Sequence, residues 1–152
     1  MKLKIRKIKR YDDVPYPILY LADPSKESVE NYLKRGEVYL SLIGNEIIGA
    51  YILLATRPFI IELVNIAIDE RYQNKGYGKK MIRHAIEIAK KHDYKTMEVG
   101  IGNSGIFQLA FYQKCGFRIT HVDFDFFKKN YIEPIFENGI ECRDMIRLSM
   151  DI

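Results

Sequence analysis

The stretch Asp69-Glu70-Arg71-Tyr72-Gln73-Asn74-Lys75-Gly76-Tyr77-Gly78-Lys79-Lys80 carries the densest chemistry in the chain. It follows a run of apolar and β-branched residues and opens an amphipathic one, so the spacing predicts a strand, a tight turn and a helix N-terminus. Unpaired backbone N–H groups and the helix dipole make such a terminus a site for anions. Gly76 and Gly78 would let the main chain approach a ligand with no Cβ in the way. Arg71, Lys75, Lys79 and Lys80 crowd the positive end of that helix, where each cation is disfavoured by about 0.3–1 kcal/mol. A bound phosphate or pyrophosphate would relieve that repulsion. The lysines alone would read as a solvated basic turn; with the glycines and the strand-to-helix setting, the stretch reads as an anion cradle. Two familiar phosphate loops do not fit. A P-loop needs Gly at Gln73 and Ser or Thr at Lys80, and a dinucleotide fingerprint starting at Gly76 needs Gly at Met81.

Two further side chains could handle protons. Glu62 lies on a predicted strand, Ile60–Ile68, sharing a face with Val64 and Ile66 unless a bulge shifts the parity. A carboxylate among apolar neighbours is either a functional base or a strand-end charge, and both stay open. Tyr112, on a short helical segment, reads as a core aromatic or as a phenol able to give up a proton. Other candidates weaken on inspection. Gly100-Ile101-Gly102-Asn103-Ser104-Gly105 matches Gly-x-Gly-x-x-Gly, with Asp123 and Asp125 about 20 residues on where a ribose-binding acid would stand. Only 47 residues follow Gly105, and the next helix is very short, so a doubly wound half-domain does not fit. Cys115 sits at a predicted helix C-terminus, whose negative end opposes a thiolate, and reads as packing. Ser104 lacks a nucleophile elbow because Ile106 stands at the second glycine. His84, His92 and His121 have no metal-ligand spacing, and His84 and His92 are expected on solvated surface.

Periodicity supplies the elements that must position these residues. Leu3, Ile5 and Lys7 alternate with Lys2, Lys4 and Arg6 in an opening strand. A Tyr- and Leu-rich helical stretch interrupted by Pro15 and Pro17 ends near Leu21. Asp23-Pro24 reads as the N-cap and first residue of a helix that stops before Gly36. Residues 38–43 and 46–56 form a hairpin around Gly44-Asn45. After the strand Ile60–Ile68, the helix Tyr77–Lys91 places Met81, Ile82, Ala85, Ile86 and Ala89 on one face. A strand over 95–101, a helix Ile106–Lys114 closed by Gly116, and strands over 117–122 and 142–150 complete the chain. A long aromatic connection containing Asn138-Gly139 joins the last two. The pattern predicts an α/β fold (α+β in some schemes): a mixed, mostly antiparallel central sheet of about seven strands flanked by about four helices.

Composition sets the outer limits. A chain of 152 residues, 47% hydrophobic with a formal charge of +4, suits one domain over residues 1–152. Its basic residues form no dense stripe, which argues against nucleic acid as a partner. The longest mostly apolar run, residues 47–55, is far short of the roughly 20 a membrane span needs. Charge alternation over residues 1–7 leaves no unbroken apolar core for a secretory signal. Two cysteines build neither a disulfide framework nor a four-ligand zinc site. The expectation is a soluble, cytoplasmic protein with no metal and no membrane association.

Gln73-Asn74-Lys75-Gly76-Tyr77-Gly78 resembles the Gln/Arg-x-x-Gly-x-Gly/Ala pyrophosphate loop of the GNAT superfamily of N-acetyltransferases. Asn65-Ile66-Ala67-Ile68-Asp69 resembles that family's fourth strand. Asn103 with Leu109-Ala110-Phe111-Tyr112-Gln113-Lys114-Cys115-Gly116-Phe117 resembles its next motif, Asn…Ala-x-x-Tyr-x-Lys-x-Gly-Phe. The element order is similar across nearly the whole chain. The resemblance implies the acyl-CoA N-acyltransferase fold and acetyl-coenzyme A as co-substrate. The backbone of Ile66, Ala67 and Ile68 would pair with the pantetheine arm like an added strand. Gln73, Asn74, Lys75, Gly76, Tyr77, Gly78 and Lys79 would hold the pyrophosphate, and Asn103 would bond the pantetheine region. A primary amine would attack the thioester directly, with Glu62 as base through water, a backbone N–H near Ile66 to Ile68 polarising the carbonyl, and Tyr112 protonating the leaving thiolate. The acceptor stays open among small amines and peptides. Tyr16, Tyr20, Tyr32 and Asp123-Phe124-Asp125-Phe126-Phe127 would shape its site, and homodimer formation is left open. A second reading, a non-catalytic acyl-coenzyme A sensor, would keep the glycine loop but need neither Glu62 nor Tyr112.

Overall fold

The apolar alternations of the first 95 residues pair as an antiparallel sheet in the computed structural model, which describes residues 2–152. Met1, where the alternating N-terminal run begins, lies outside the described residues. The chain divides into two compact units, Met1–Lys95 and Thr96–Ile152. In the first, β1 (Leu3–Lys7), β2 (Glu37–Ile43), β3 (Glu46–Arg57) and β4 (Ile60–Ile68) lie side by side in chain order. One face carries α1 (Tyr16–Ala22) and α2 (Lys26–Arg35), whose Leu19 and Val29 bury themselves against Val38, Leu40, Leu42, Ala50 and Ile52. α3 (Tyr77–Lys91) serves the opposite face, where Met81 reaches the backbone at Gly49. Its buried stripe of Met81, Ile82, Ala85 and Ala89 follows the predicted 3.6-residue period.

One boundary differs from the sequence expectation. The N-cap of α2 is Ser25, whose hydroxyl accepts from the Ser28 N–H, rather than Asp23. Asp23 closes α1 instead, and its carboxylate accepts from the Ser25 N–H at 3.0 Å. Two successive caps therefore turn the chain between the helices, and Pro24 fills the link.

In the second unit β9 (Met145–Asp151) pairs antiparallel with both β5 (Thr96–Gly102) and β6 (Arg118–Asp123). α4 (Ile106–Lys114) joins β5 to β6. The aromatic connection holds more structure than the sequence reading gave it. It contains α5 (Phe126–Asn130) and a two-stranded ribbon of β7 (Ile135–Glu137) and β8 (Ile140–Cys142). Asn138 and Gly139 turn the ribbon with φ of 54° and 71°, the pair of positive values a two-residue hairpin loop requires. The single strand expected over 142–150 is accordingly split between β8 and β9. Among the described residues the strands outside the ribbon number seven, as expected. Among the described residues no helix is long and apolar enough to cross a membrane.

The Gly-x-Gly-x-x-Gly run has a packing explanation. A Cβ on Gly102 would strike the Cys142 sulfur, one on Gly100 would come within 2.8 Å of the Met145 sulfur, and one on Gly105 within 2.7 Å of the Ile101 side chain. These glycines let β5 and α4 approach their neighbours, which agrees with the rejection of a dinucleotide loop.

Candidate active site

β4 is the element on which the first set of residues hangs. Ile61, Leu63, Asn65 and Ala67 are buried, while Ile60, Glu62, Val64, Ile66 and Ile68 are half-buried. The regular alternation conceals a bulge. Ile52 of β3 faces Asn65, but the next residue, Leu53, faces Leu63, so Val64 is an extra residue in the ladder. Residues directly opposite one another share a face of the sheet. Asn65 and Ala67 therefore side with Ile52 and Ala50, towards α1 and α2, while Ile66 sides with Tyr51, towards α3. Beyond the bulge Glu62 faces Leu54 and returns to the α1 side, where Val64 packs against the Leu19 cluster. The parity shift is real: Glu62 keeps company with Val64 and Asn65 and is separated from Ile66.

The loop after β4 is built by local hydrogen bonds. The Asp69 carboxylate accepts from the Arg71 N–H at 3.0 Å and caps a single 3-10 turn over Glu70–Tyr72. The Arg71 guanidinium then grips Asp69 and Glu46, and the Tyr72 hydroxyl donates to Glu46 at 2.6 Å. The Tyr72 hydroxyl and the Arg71 guanidinium hold the Glu46 carboxyl below its usual range, and Arg71 does the same to Asp69. Arg71 is thus a strut with its charge answered, not one of the cations crowding the helix end. The Gln73 side-chain amide donates to the Ile68 carbonyl at 2.9 Å, tying the loop to the end of β4.

Gly76 is the N-cap of α3 with φ of +85°, a conformation costly for any residue with a Cβ. Asn74 also takes a left-handed φ of 61°, which asparagine tolerates. Among the described residues no side chain caps α3, and its first turn holds no acid. Helices over Tyr16–Ala22, Ile106–Lys114 and Phe126–Asn130 lack a side-chain cap as well, so what sets α3 apart is the left-handed Gly76 with lysines beside it. Lys75 lies over the Tyr72 ring at 5.6 Å and Lys80 over the Tyr77 ring at 5.9 Å. An open, positively polarised helix end flanked by Lys75, Lys79 and Lys80 is what an anionic group would find here.

The second unit carries the other two expected residues. Asn103 follows β5, and its side-chain oxygen accepts from the N–H groups of Arg143, at 2.7 Å, and Asp144, at 3.0 Å. Its amide donates to the Glu141 carbonyl at 3.1 Å. These three bonds fix the amide's orientation and make Asn103 the brace of the turn between β8 and β9. Tyr112 on α4 is 7% exposed, edge-on to Phe117 at 5.8 Å and tilted against Phe111 at 5.6 Å. Burial pushes its phenol far above the ordinary value. It is a core aromatic by location, and any chemistry it performs is done as a neutral phenol.

Sequence reasoning missed one polar pair. His84 is half-buried rather than solvated, and its Nδ1 lies 2.7 Å from the hydroxyl of the fully buried Tyr51. Tyr39 stacks on Tyr51 with ring centroids 5.0 Å apart. His84 and Tyr51 are 33 positions apart, and no sequence spacing signals the contact. Asn65 is a second omission as a side chain: it is buried and donates to the Leu19 carbonyl at 3.2 Å, fastening α1 to β4.

The model of the Acetyltransferase (GNAT) family matches residues 5–117. Over 151 residues the chain is 54% identical to the uncharacterized N-acetyltransferase YvbK of Bacillus subtilis, which covers 99% of this chain and 97% of that protein. It is also similar to a GNAT family acetyltransferase from Elizabethkingia anophelis solved with acetyl-CoA bound. There the TM-score is 0.96 and the identity 47%, covering 99% of this chain and 98% of the other. A Bacillus subtilis acetyltransferase solved in complex with CoA matches with a TM-score of 0.93 and 54% identity, over 99% of both chains.

Proposed function

The chain belongs to the GNAT family of acetyltransferases, and we propose that it works as one domain over residues 1–152, passing the acetyl group of acetyl-coenzyme A to a primary amine by direct attack. It is an acetyl-CoA-dependent N-acetyltransferase whose acceptor is unidentified. The observation that carries the donor assignment is the N-terminus of α3, which combines a left-handed glycine with flanking lysines. Gly76 in the left-handed region leaves the first-turn N–H groups open beside Lys75 and Lys79, which suits a pyrophosphate. The backbone of Ile66 to Ile68 would run beside the pantetheine arm, and a backbone N–H there would draw electron density from the thioester carbonyl.

The acceptor amine arrives as an ammonium with a pKa of about 10.4, so a proton must leave before attack. Glu62 would take it through water on the α1 side of β4. Tyr112 would meet the departing thiolate. A buried phenol with a raised pKa is a poor full proton donor to a thiolate of pKa about 8.5, so its contribution is a hydrogen bond that strengthens as the sulfur gains charge. Gln73 ties the loop to β4, and Asn103 braces the turn beside β5; both act by positioning. We place the reaction in the cytoplasm with a small-molecule or peptide amine.

Thiol release from acetyl-coenzyme A, measured with a panel of amines, tests the proposal. Release that depends on both donor and amine supports it. Donor binding without release by any amine would favour the sensor reading instead.

A further inference from the structure

Strand β6 has one strand neighbour, β9, among the described residues, and so forms an edge of the second unit's sheet. Arg118, Ile119, Thr120 and His121 are exposed, with Ile119 at 51%. Open edges are commonly blunted by charges or bulges. β6 has both, yet they combine to make the strand complementary to itself. Ile119 faces Leu148 and His121 faces Arg147, so Thr120 is the extra residue of a bulge. Opposed residues share a face, which groups Arg118, His121 and Asp123 with Ser149, Arg147 and Met145. Ile119 and Val122 fall on the other face with Leu148 and Ile146. The ion pairs agree: Asp123 contacts both Arg147, at 2.7 Å, and His121, at 3.6 Å.

Two copies of β6 run antiparallel about a two-fold axis between Thr120 and His121 would set Arg118 opposite Asp123 and Ile119 opposite Val122. In a regular strand both pairings fail, because residues 118 and 123, or 119 and 122, point to opposite faces. The bulge at Thr120 brings each pair onto one face. Opposite charges then meet on one side of the sheet and β-branched apolar side chains on the other. We propose that β6 is a self-association edge, pairing with β6 of a second copy of this chain in an isologous dimer. Charge complementarity and the matched faces select a second copy over an unrelated strand.

Sedimentation velocity on the full chain tests this, with Arg118→Glu and Arg118→Lys variants. The wild type should be dimeric at micromolar concentration. Arg118→Glu turns two cross-strand ion pairs into like-charge contacts and should weaken the dimer roughly tenfold or more, while Arg118→Lys retains it. A monomeric wild type overturns the proposal. So does a dimer indifferent to Arg118→Glu.

Discussion

Tyr51 and His84 join the middle of β3 to the middle of α3 through a 2.7 Å hydrogen bond. Tyr51 is fully buried, and burial both raises its phenol far above the ordinary value and lowers the His84 imidazole below its own. Both groups are therefore neutral in the fold. Were Nδ1 to carry the proton, the phenol O–H would be left as an orphan donor in the core, so the phenol donates and His84 is the Nε2–H tautomer.

A pH dependence of stability follows from that pair. The folded His84 has its pKa depressed below the free value of 6.5, so the unfolded chain binds the proton more readily. Its stabilising contribution is complete above that free value and is lost as pH falls below it. The wild type should lose thermal stability between about pH 7 and about pH 5 more steeply than His84→Gln, which cannot titrate. At neutral pH, Tyr51→Phe should cost about 0.5–1.5 kcal/mol. Parallel melting curves for wild type and His84→Gln across that range would remove His84 as the cause.

Acetyl-coenzyme A should bind with Kd in the micromolar range, roughly as substrates commonly do. Gly78→Asp places a negative charge in the first turn of α3, where we propose that the pyrophosphate binds, and should weaken binding by about tenfold or more. Titration calorimetry on both proteins checks this. Unchanged affinity in a folded variant would dissociate the loop from the pyrophosphate.

Why some of this was legible in the sequence and some was not comes down to the range of the forces involved. β4, α3 and α4 appear at their predicted bounds because periodicity and glycine placement are local signals. Gly76 could be singled out because two glycines between a strand and a helix mark a close backbone approach, although its left-handed φ came only with the structure. The bulge at Val64 could not, since it exists only as a mismatch between β3 and β4. Arg71 misled for a similar reason: its partner Glu46 is 25 positions away on β3. The ribbon was within reach, as Asn138-Gly139 is a strong hairpin turn, but flanking strands of three residues each are too short to show alternation.

For Asn103, two roles make different predictions. As the brace of the β8–β9 turn, Asn103→Ala leaves the N–H groups of Arg143 and Asp144 without their acceptor and should cost about 1–3 kcal/mol. Asn103→Asp keeps the acceptor and should recover most of that loss. Denaturant unfolding beside donor titration separates the cases: a fall in donor affinity at unchanged stability would assign Asn103 to the ligand instead.

Tyr112→Phe should keep the packing against Phe111 and Phe117, and with it the melting temperature and donor affinity. Turnover with a good acceptor should fall about 10²-fold, the scale for losing a donor aimed at developing charge. Single-turnover rates under saturating donor give the measurement. A variant as fast as wild type would leave Tyr112 with packing alone.

Glu62 carries the sharpest test because its position was corrected by the bulge. On the α1 side of β4 it stands among Val64 and Asn65, on the face that α1 covers, rather than with Ile66. If it removes the amine's proton through water, Glu62→Gln keeps the shape and most hydrogen bonding but cannot accept that proton. Turnover should drop by about 10²-fold near neutral pH. The deficit should then shrink as pH rises towards the amine's own pKa, because the fraction of neutral amine grows without help from the protein. Donor affinity, which we assign to the far end of β4 and the α3 loop, should stay unchanged. A structural Glu62 behaves otherwise: its replacement shifts the melting temperature and scales kcat equally at every pH. Measuring kcat against pH for both proteins, beside their melting temperatures, decides between the two. Parallel profiles would sink the general-base role and leave the ammonium to lose its proton to bulk water or to another side chain on the α1 side of the sheet.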